Sequence, residues 1–143
     1  MIKAKLPSFL TDDATYNYIR GLFQNGKVFM VRGDLTAKIA MKAISKATEQ
    51  AGLKVRVLYL SNAEQYFNVR SPFRDNIVSL PTDSKSLIIR TNGWRGLAHV
   101  EGTGYHYNVQ SAESFKQFVA HPLTKSSAGM LKQAIPSSTF LGF

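Results

Sequence analysis

The feature that most constrains the fold is a repeated switch between two apolar patterns. Short apolar runs, typical of strands covered on both faces, occur at residues 28–31, 55–60 and 86–90. The stretches between these runs carry apolar residues at helical spacing, in the first case from Leu35 to Ala51. Because helical crossovers join parallel strands, this order predicts a βαβαβ arrangement. We expect parallel strands near residues 27–32, 54–60 and 86–91, with a helix over residues 35–51 between the first two.

The repeated unit predicts an α/β protein. We expect a Rossmann-like, mostly parallel sheet with helices on both faces, in a single domain over residues 1–143. Beyond Arg90 the pattern is weaker. Residues 97–100 and 105–109 form a candidate C-terminal hairpin, and Ser111 is expected to cap a short helix. One more helix is expected around residues 126–134, and both termini are expected to be loosely ordered, at residues 1–10 and 135–143.

The composition narrows the classes of function. With 143 residues and 44% hydrophobic content, the chain is long and apolar enough to bury a core. It contains no Cys, which excludes a disulfide framework, a thiolate metal site and a cysteine nucleophile. Its three His are too scattered in the sequence for a ligand set, so we expect no metal. The net charge of +9 favours anionic partners such as nucleic acid, nucleotides or acidic lipids.

Neither a membrane span nor an intact signal peptide is predicted. No apolar run approaches the roughly 20 residues that a transmembrane helix needs. No apolar stretch follows the charged residues near the start of the sequence. We therefore expect a cytoplasmic protein, with export left open if the sequence is truncated. The sequence also leaves the oligomeric state open.

Polar residues follow each of the three expected strands. In a doubly wound sheet, ligands bind beyond the carboxyl ends of the parallel strands, and these ends lie side by side. The expected ligand-binding residues at these ends are Arg32, Gly33, Asp34, Ser61, Asn62, Glu64 and Arg90. The arginine fork suits a carboxylate or phosphate group, so the pattern favours a small anionic or nucleotide-like ligand. No catalytic residue can be assigned from these positions.

Structural roles compete with ligand binding at some of these positions. Asp34 fits the N-cap of the helix that follows, with Gly33 easing the turn. Ser61 and Glu64 fit a capping box, in which the serine caps a helix and the glutamate bonds back to it. Arg90 is harder to explain in this way, because a guanidinium at the end of a buried strand is costly unless it is paired.

Two basic patterns bear on nucleic-acid binding. A lysine stripe at helical spacing favours a solvated helix face over a nucleic-acid footprint, and it consists of Lys38, Lys42 and Lys46. A second pattern interleaves aromatic and basic side chains, as proteins that bind single strands do, and it consists of Tyr66, Phe67, Arg70 and Arg74. Phe67 also suits the core. No Walker motif and no G-x-G-x-x-G fingerprint is present, so a nucleotide site must be built from strand-end loops.

A longer string is distinctive. The sequence Tyr-Leu-Ser-Asn-Ala-Glu-Gln-Tyr at residues 59–66 is followed by Asn76, by Leu-Pro at residues 80–81 and by Ile-Arg at residues 89–90. This pattern resembles a family of uncharacterised bacterial proteins with a methyltransferase-like Rossmann fold. The resemblance covers about residues 9–92 and matches the C-terminal half of the family members. The resemblance adds Tyr66 to the site candidates. The cofactor stays open, and S-adenosylmethionine is the candidate that the resemblance alone suggests.

Three functions follow from these observations. The first is a domain that resembles S-adenosylmethionine-dependent methyltransferases and binds a small anionic or nucleotide-like ligand at the strand ends. Whether it is an enzyme stays open, because the glycine-rich loop that would hold the cofactor is not in this sequence. The second is a non-catalytic basic module that binds nucleic acid or another polyanion. The third is a half-site scaffold that needs a partner chain.

Overall fold

The computed structural model describes residues 8–92 and 106–126. By its contacts the chain divides into two compact units, Met1–Arg32 and Gly33–Phe143. The first unit contains helix α1, Asp13–Gln24, and none of the helix residues is buried. The Asp12 carboxylate caps α1 by accepting a hydrogen bond from the Thr15 N–H at 2.7 Å. The helix ends before Gly26, whose φ of +62° is the left-handed conformation that commonly ends a helix.

The strand expected at residues 27–32 is not formed. This segment of the first unit has no ladder partner among the described residues, and its apolar side chains are open to solvent. Phe29 is 83% exposed and Met30 is 90% exposed. The prediction was wrong because an apolar run shows only that a segment can be buried. A strand also needs a neighbour with which its N–H and C=O groups can pair.

In its described residues, the second unit contains three helices, three strands and a short 3-10 turn. Along the chain they are α2 (Ala40–Gln50), β1 (Val57–Ser61), the turn Ala63–Gln65, α3 (Ser71–Val78), β2 (Leu87–Asn92), β3 (His106–Ser111) and α4 (Ala112–Ala120). The capping of α4 is as expected, since the Ser111 hydroxyl accepts from the Ser114 N–H at 3.2 Å. In the described part of the chain, no helix combines the length and the apolar character needed to cross a bilayer.

The sheet corrects the predicted fold. Its strand order is β1-β2-β3, with β1 parallel to β2 and β3 antiparallel to β2. The class is α/β, but the three-stranded mixed sheet is not a Rossmann-like, mostly parallel sheet. The parallel pairing of residues near 57–61 and 87–92 was expected and is confirmed. The expectation of a mostly parallel sheet was wrong. Apolar runs look the same in parallel and antiparallel strands, and the pairing partner decides the strand direction.

Of the elements expected beyond Arg90, one strand is observed and the others lie wholly or largely outside the described residues. A strand does form at His106–Ser111, close to the expected residues 105–109, but in the described chain it pairs with β2. The other half of the expected hairpin, residues 97–100, lies outside the described residues. The expected helix at residues 126–134 lies almost wholly outside them, as do residues 1–7 and 135–143.

Helix α2 begins later than the stripe from Leu35 suggests. The first five residues of that stripe form turns instead, and the helix starts at Ala40. The reason is a buried side chain on α3: Asn76 Nδ2 donates to the carbonyl oxygens of Leu35 at 2.9 Å and Ala37 at 2.8 Å. These carbonyls are therefore taken from the helical hydrogen-bond ladder. The turn over residues 34–37 is held on the surface of α3.

The core of the second unit lies where α3 and α4 pack against each other and α4 covers the sheet. Helix α3 buries Phe73 and Ile77, which lie four residues apart on one face, and Leu80 continues that face beyond its end. The other buried apolar side chains are Met41, Leu60, Val69, Ile88, Ala112, Phe115 and Val119. The helical spacing of α3 and the cap of α4 were thus sufficient to predict this part of the core.

Arg74 connects α3 to the chain around it. One guanidinium nitrogen donates to the carbonyl of Val119 at 2.7 Å and of His121 at 2.5 Å. The other donates to the carbonyls of Val69, at 3.4 Å, and Thr124. The side chain therefore holds the end of α4 and the segment after it against the start of α3. Arg74 therefore has a structural role, although it belongs to the interleaved aromatic and basic pattern that is typical of proteins that bind single strands.

We predict that Arg74→Leu lowers the free energy of unfolding by about 2–4 kcal/mol, because several partly buried carbonyls lose a charged donor at once. Urea unfolding followed by circular dichroism measures this loss. Arg56→Gln is the matched control, because Arg56 makes an exposed ion pair with Asp83 and should change the stability little. Equal effects of the two substitutions would contradict the structural role of Arg74.

Candidate functional site

Arg90 lies on the central strand β2 and is fully buried, with 0% of its surface exposed. It pairs across the ladder with Asn108 of β3, so both side chains leave the sheet on the same face. Helix α4 covers that face, and the guanidinium carbon lies 5.0 Å from the centroid of the Phe115 ring. A positive charge at this depth must be compensated by other side chains.

Three side chains accept hydrogen bonds from the Arg90 guanidinium, and one of them, Glu64, forms an ion pair with it. One guanidinium nitrogen donates to Glu64 Oε1 at 2.8 Å. The other donates to Gln110 Oε1 at 2.7 Å and to Asn108 Oδ1 at 3.4 Å. Glu64 is 1% exposed, and the two β3 residues are 3% exposed. We call these four residues the Arg90 cluster.

Irregular backbone at the end of β1 brings Glu64 to Arg90. The register shifts between Tyr59 and Ser61, and Ser61 adopts a φ of +51°, which is rare for a residue with a side chain. The chain then turns through Ala63–Gln65, where Gln65 Nε2 donates to the Thr91 carbonyl at 3.3 Å. The expected capping box is wrong. The N-cap of this turn is Asn62, without a side-chain bond, and Glu64 pairs with Arg90.

Several polar atoms of the Arg90 cluster have no partner among the described residues. They are Glu64 Oε2, Arg90 Nε and Gln110 Nε2. Burial raises the pKa of the Glu64 carboxyl above its ordinary range, and the Arg90 charge opposes that rise. The cluster is closed to solvent, so its first role is to fix the turn after β1 onto β2.

The residues before α2 form a separate feature. Asp34 accepts from the Thr36 N–H and from the Thr36 hydroxyl, both at 2.7 Å, and these bonds lower the pKa of its carboxyl. Asp34 therefore caps a turn and not α2, whose N-cap is Ile39. A Cβ on Gly33 would collide with the Cβ of Ala40, so this position requires glycine.

A cavity of about 290 Å³ opens beside that turn. We call it the Thr36–Arg70 cavity, and its lining residues are Thr36, Phe67, Asn68, Arg70, Pro72 and Phe73. Phe67 and Phe73 form its apolar part, with their rings edge-to-face and the centroids 4.9 Å apart. The Arg70 side chain is exposed and has no hydrogen-bond or ion-pair partner among the described residues. The lining of the cavity therefore combines aromatic side chains with the guanidinium of Arg70, which is available to a ligand.

The sequence-predicted site residues fall into three groups. Glu64 and Arg90 are brought together, inside the buried cluster. Asn62 and Tyr66 are joined by a 3.3 Å hydrogen bond from Asn62 Nδ2 to the phenol oxygen, and Ser61 lies just before them. Gly33 and Asp34 lie in the turn that presents Thr36 to the cavity. Arg32 is exposed in the first unit.

Sequence reasoning missed the residues that line the cavity, although two of them had been noted. Phe67 and Arg70 stood out as part of an aromatic and basic pattern, but no signal linked them to Thr36, which lies more than 30 positions earlier. The link is made by Asn76, which holds the turn of Thr36 on α3. Such a contact between distant residues leaves no periodic trace in a sequence.

A second cavity of about 470 Å³ is less suited to a charged ligand. Residues of α2, α3 and α4 line it, among them Lys42 and Asp75. The third charged residue of its lining, Arg74, is engaged by backbone carbonyls. The opposite charges of Lys42 and Asp75 offset each other there. Among the described residues, no group of three His, Asp or Glu side chains could hold a metal ion.

The family assignment follows from the whole length of the chain. The chain belongs to a family described as a domain of unknown function (DUF7790), whose model matches residues 1–143. Comparison with curated proteins finds no match. The family description carries no activity, so the function must be argued from the site.

We predict that Glu64→Leu and Arg90→Met each lower the free energy of unfolding by about 3–5 kcal/mol, since each leaves a buried charge without its partner. The double variant should lose less than the sum of the two, because it leaves neither charge. Urea unfolding of the four proteins measures the coupling. Additive losses would show that the pair is not energetically linked.

The pH dependence of stability gives a second test of the cluster. Because the pKa of Glu64 is raised in the folded state, the folded protein keeps a proton that the unfolded chain has already released. The contribution of Glu64 to the free energy of unfolding should therefore fall as the pH rises through that window. Urea unfolding from about pH 4 to about pH 8 should show this fall, and Glu64→Gln should remove it. A contribution that rises with pH would mean a lowered pKa.

Proposed function

We propose that the second unit binds a small anionic, nucleotide-like ligand in the Thr36–Arg70 cavity. The observation that carries this proposal is the cavity itself, which combines an aromatic floor with the available guanidinium of Arg70. Ligand pockets in proteins measure about 300–1,000 Å³, so this cavity, at about 290 Å³, lies just below that range. It suits a single base or nucleoside more than an extended cofactor.

The polar groups around the cavity match the parts of a nucleotide. The guanidinium of Arg70 suits a phosphate group, and the partly buried ring of Phe67 suits a planar base. Phe73 is 1% exposed and holds the Phe67 ring in place from the core side. Asp34 stays ionised because its pKa is lowered, and it lies one hydrogen bond from Thr36 at the cavity. A carboxylate in this position can accept hydrogen bonds from the hydroxyls of a ribose.

The Arg90 cluster has a positioning role in this proposal and does not bind the ligand. Glu64 and Arg90 are closed to solvent and bonded to each other, so neither presents a group to a ligand that enters from outside. Their pair fixes the turn that leads into Phe67 and Arg70. Methyl transfer with S-adenosylmethionine stays a prediction from resemblance, and none of the described cavity residues supplies a group that would activate a methyl acceptor.

The test is binding of uridine monophosphate, adenosine monophosphate and inorganic phosphate, measured by calorimetry and thermal shift. We expect a nucleoside monophosphate to bind, and Arg70→Gln to weaken it by about tenfold or more, since one charged contact is worth at least about 1.4 kcal/mol. Lys46→Gln is the matched control, because it removes the same charge from an exposed helix position.

Two outcomes would overturn the proposal. In the first, no nucleoside monophosphate binds the intact chain. In the second, Arg70→Gln and Lys46→Gln weaken binding equally, which would show a response to net charge and not to the cavity. Phosphate alone binding as tightly as the nucleotides would restrict the ligand class to simple anions.

A further inference from the structure

A second aromatic group stands next to the cavity without taking part in the core. Tyr66 directly precedes the cavity residue Phe67, and 78% of its surface is exposed. Its phenol oxygen accepts a hydrogen bond from Asn62 Nδ2, which restrains the side chain. An exposed ring that is held in place costs little entropy when another flat group stacks on it. The face of Tyr66 is therefore available to a base that follows the one in the cavity.

Basic residues belong to the cavity or to the segments next to it. Arg70 lies on the cavity, and Lys38 is exposed two residues after Thr36. Lys125 is exposed. Its carbonyl accepts a hydrogen bond from the Val69 N–H at 3.0 Å, which places its backbone beside the loop of residues 66–70. The acidic groups nearby are Asp34, which lies at the Thr36 turn, and Asp75, whose carboxylate accepts from the Ser71 hydroxyl.

We propose that this surface binds single-stranded RNA, with one nucleotide in the Thr36–Arg70 cavity and the neighbouring base stacked on Tyr66. The proposal rests on the proposed function and extends it from one nucleotide to a strand. Arg70, Lys38 and Lys125 supply the positive charge that the phosphates need, as in other proteins that bind single strands. The net charge of +9 favours the same partner.

Asp34 selects RNA over DNA in this arrangement. Its ionised carboxylate accepts hydrogen bonds, and the 2′-hydroxyl is the donor that a ribose has and a deoxyribose lacks. Without that donor, the carboxylate only repels the negative strand. The stack on Tyr66 adds affinity for either sugar, so sugar preference and stacking can be measured separately.

The experiment measures fluorescence anisotropy of a labelled oligouridylate of about eight nucleotides, within the usual site size for such proteins. Tyr66→Ala should weaken this RNA by about 5- to 100-fold and leave uridine monophosphate affinity unchanged. Tyr66→Phe keeps the ring and should bind within about twofold of the original chain. Tyr18→Ala is the matched control, since Tyr18 is 68% exposed in the first unit.

The outcomes separate this inference from the proposed function. An effect of Tyr66→Ala no larger than that of Tyr18→Ala overturns the inference, as does a deoxyoligonucleotide that binds as tightly as the RNA. If uridine monophosphate binds through Arg70 but the RNA binds no more tightly, the inference is wrong and the cavity proposal stands. If the RNA depends on Tyr66 while uridine monophosphate binding does not depend on Arg70, the proposed cavity is wrong.

Discussion

The buried contact between Arg90 and Glu64 is the constraint on which the rest of the second unit depends. A guanidinium without any exposed surface destabilises the fold unless acceptors surround it. The parallel neighbour β1 supplies only Glu64, through the turn that follows it. The other acceptors, Asn108 and Gln110, come from β3. The antiparallel strand β3 is therefore needed to supply the hydrogen-bond acceptors that allow Arg90 to be buried.

The same contact helps to determine where the Thr36–Arg70 cavity forms. With Glu64 fixed on β2, the chain must leave the sheet through Tyr66 and return to α3 at Ser71. Two more polar side chains hold the other walls: Arg74 binds the carbonyls around the start of α3, and Asn76 binds the turn before α2. The walls of the cavity thus depend on three buried or partly buried polar anchors and not on apolar packing alone.

The sequence predicted those parts of the fold that depend on neighbouring residues. Asp12 and Ser111 cap helices because their side chains reach an N–H three residues along the chain. Strands were expected near residues 54–60 and 86–91, and they form at Val57–Ser61 and Leu87–Asn92 with the expected parallel pairing. The expectations at residues 27–32 and for the start of α2 were wrong, because a ladder partner and the side chain of Asn76 decide them from a distance.

The candidate site shows the same division. Residue types alone indicated that Arg90 needs an anionic partner and that the segments after the strands carry binding groups. Only the tertiary structure decided that Glu64 is this partner and that both residues are therefore closed to solvent. It also decided that Thr36 and Arg70 line one accessible cavity. Caps and periodicity are local and can be read from the chain. Charge pairing and cavity walls join residues far apart in sequence, and packing selects them.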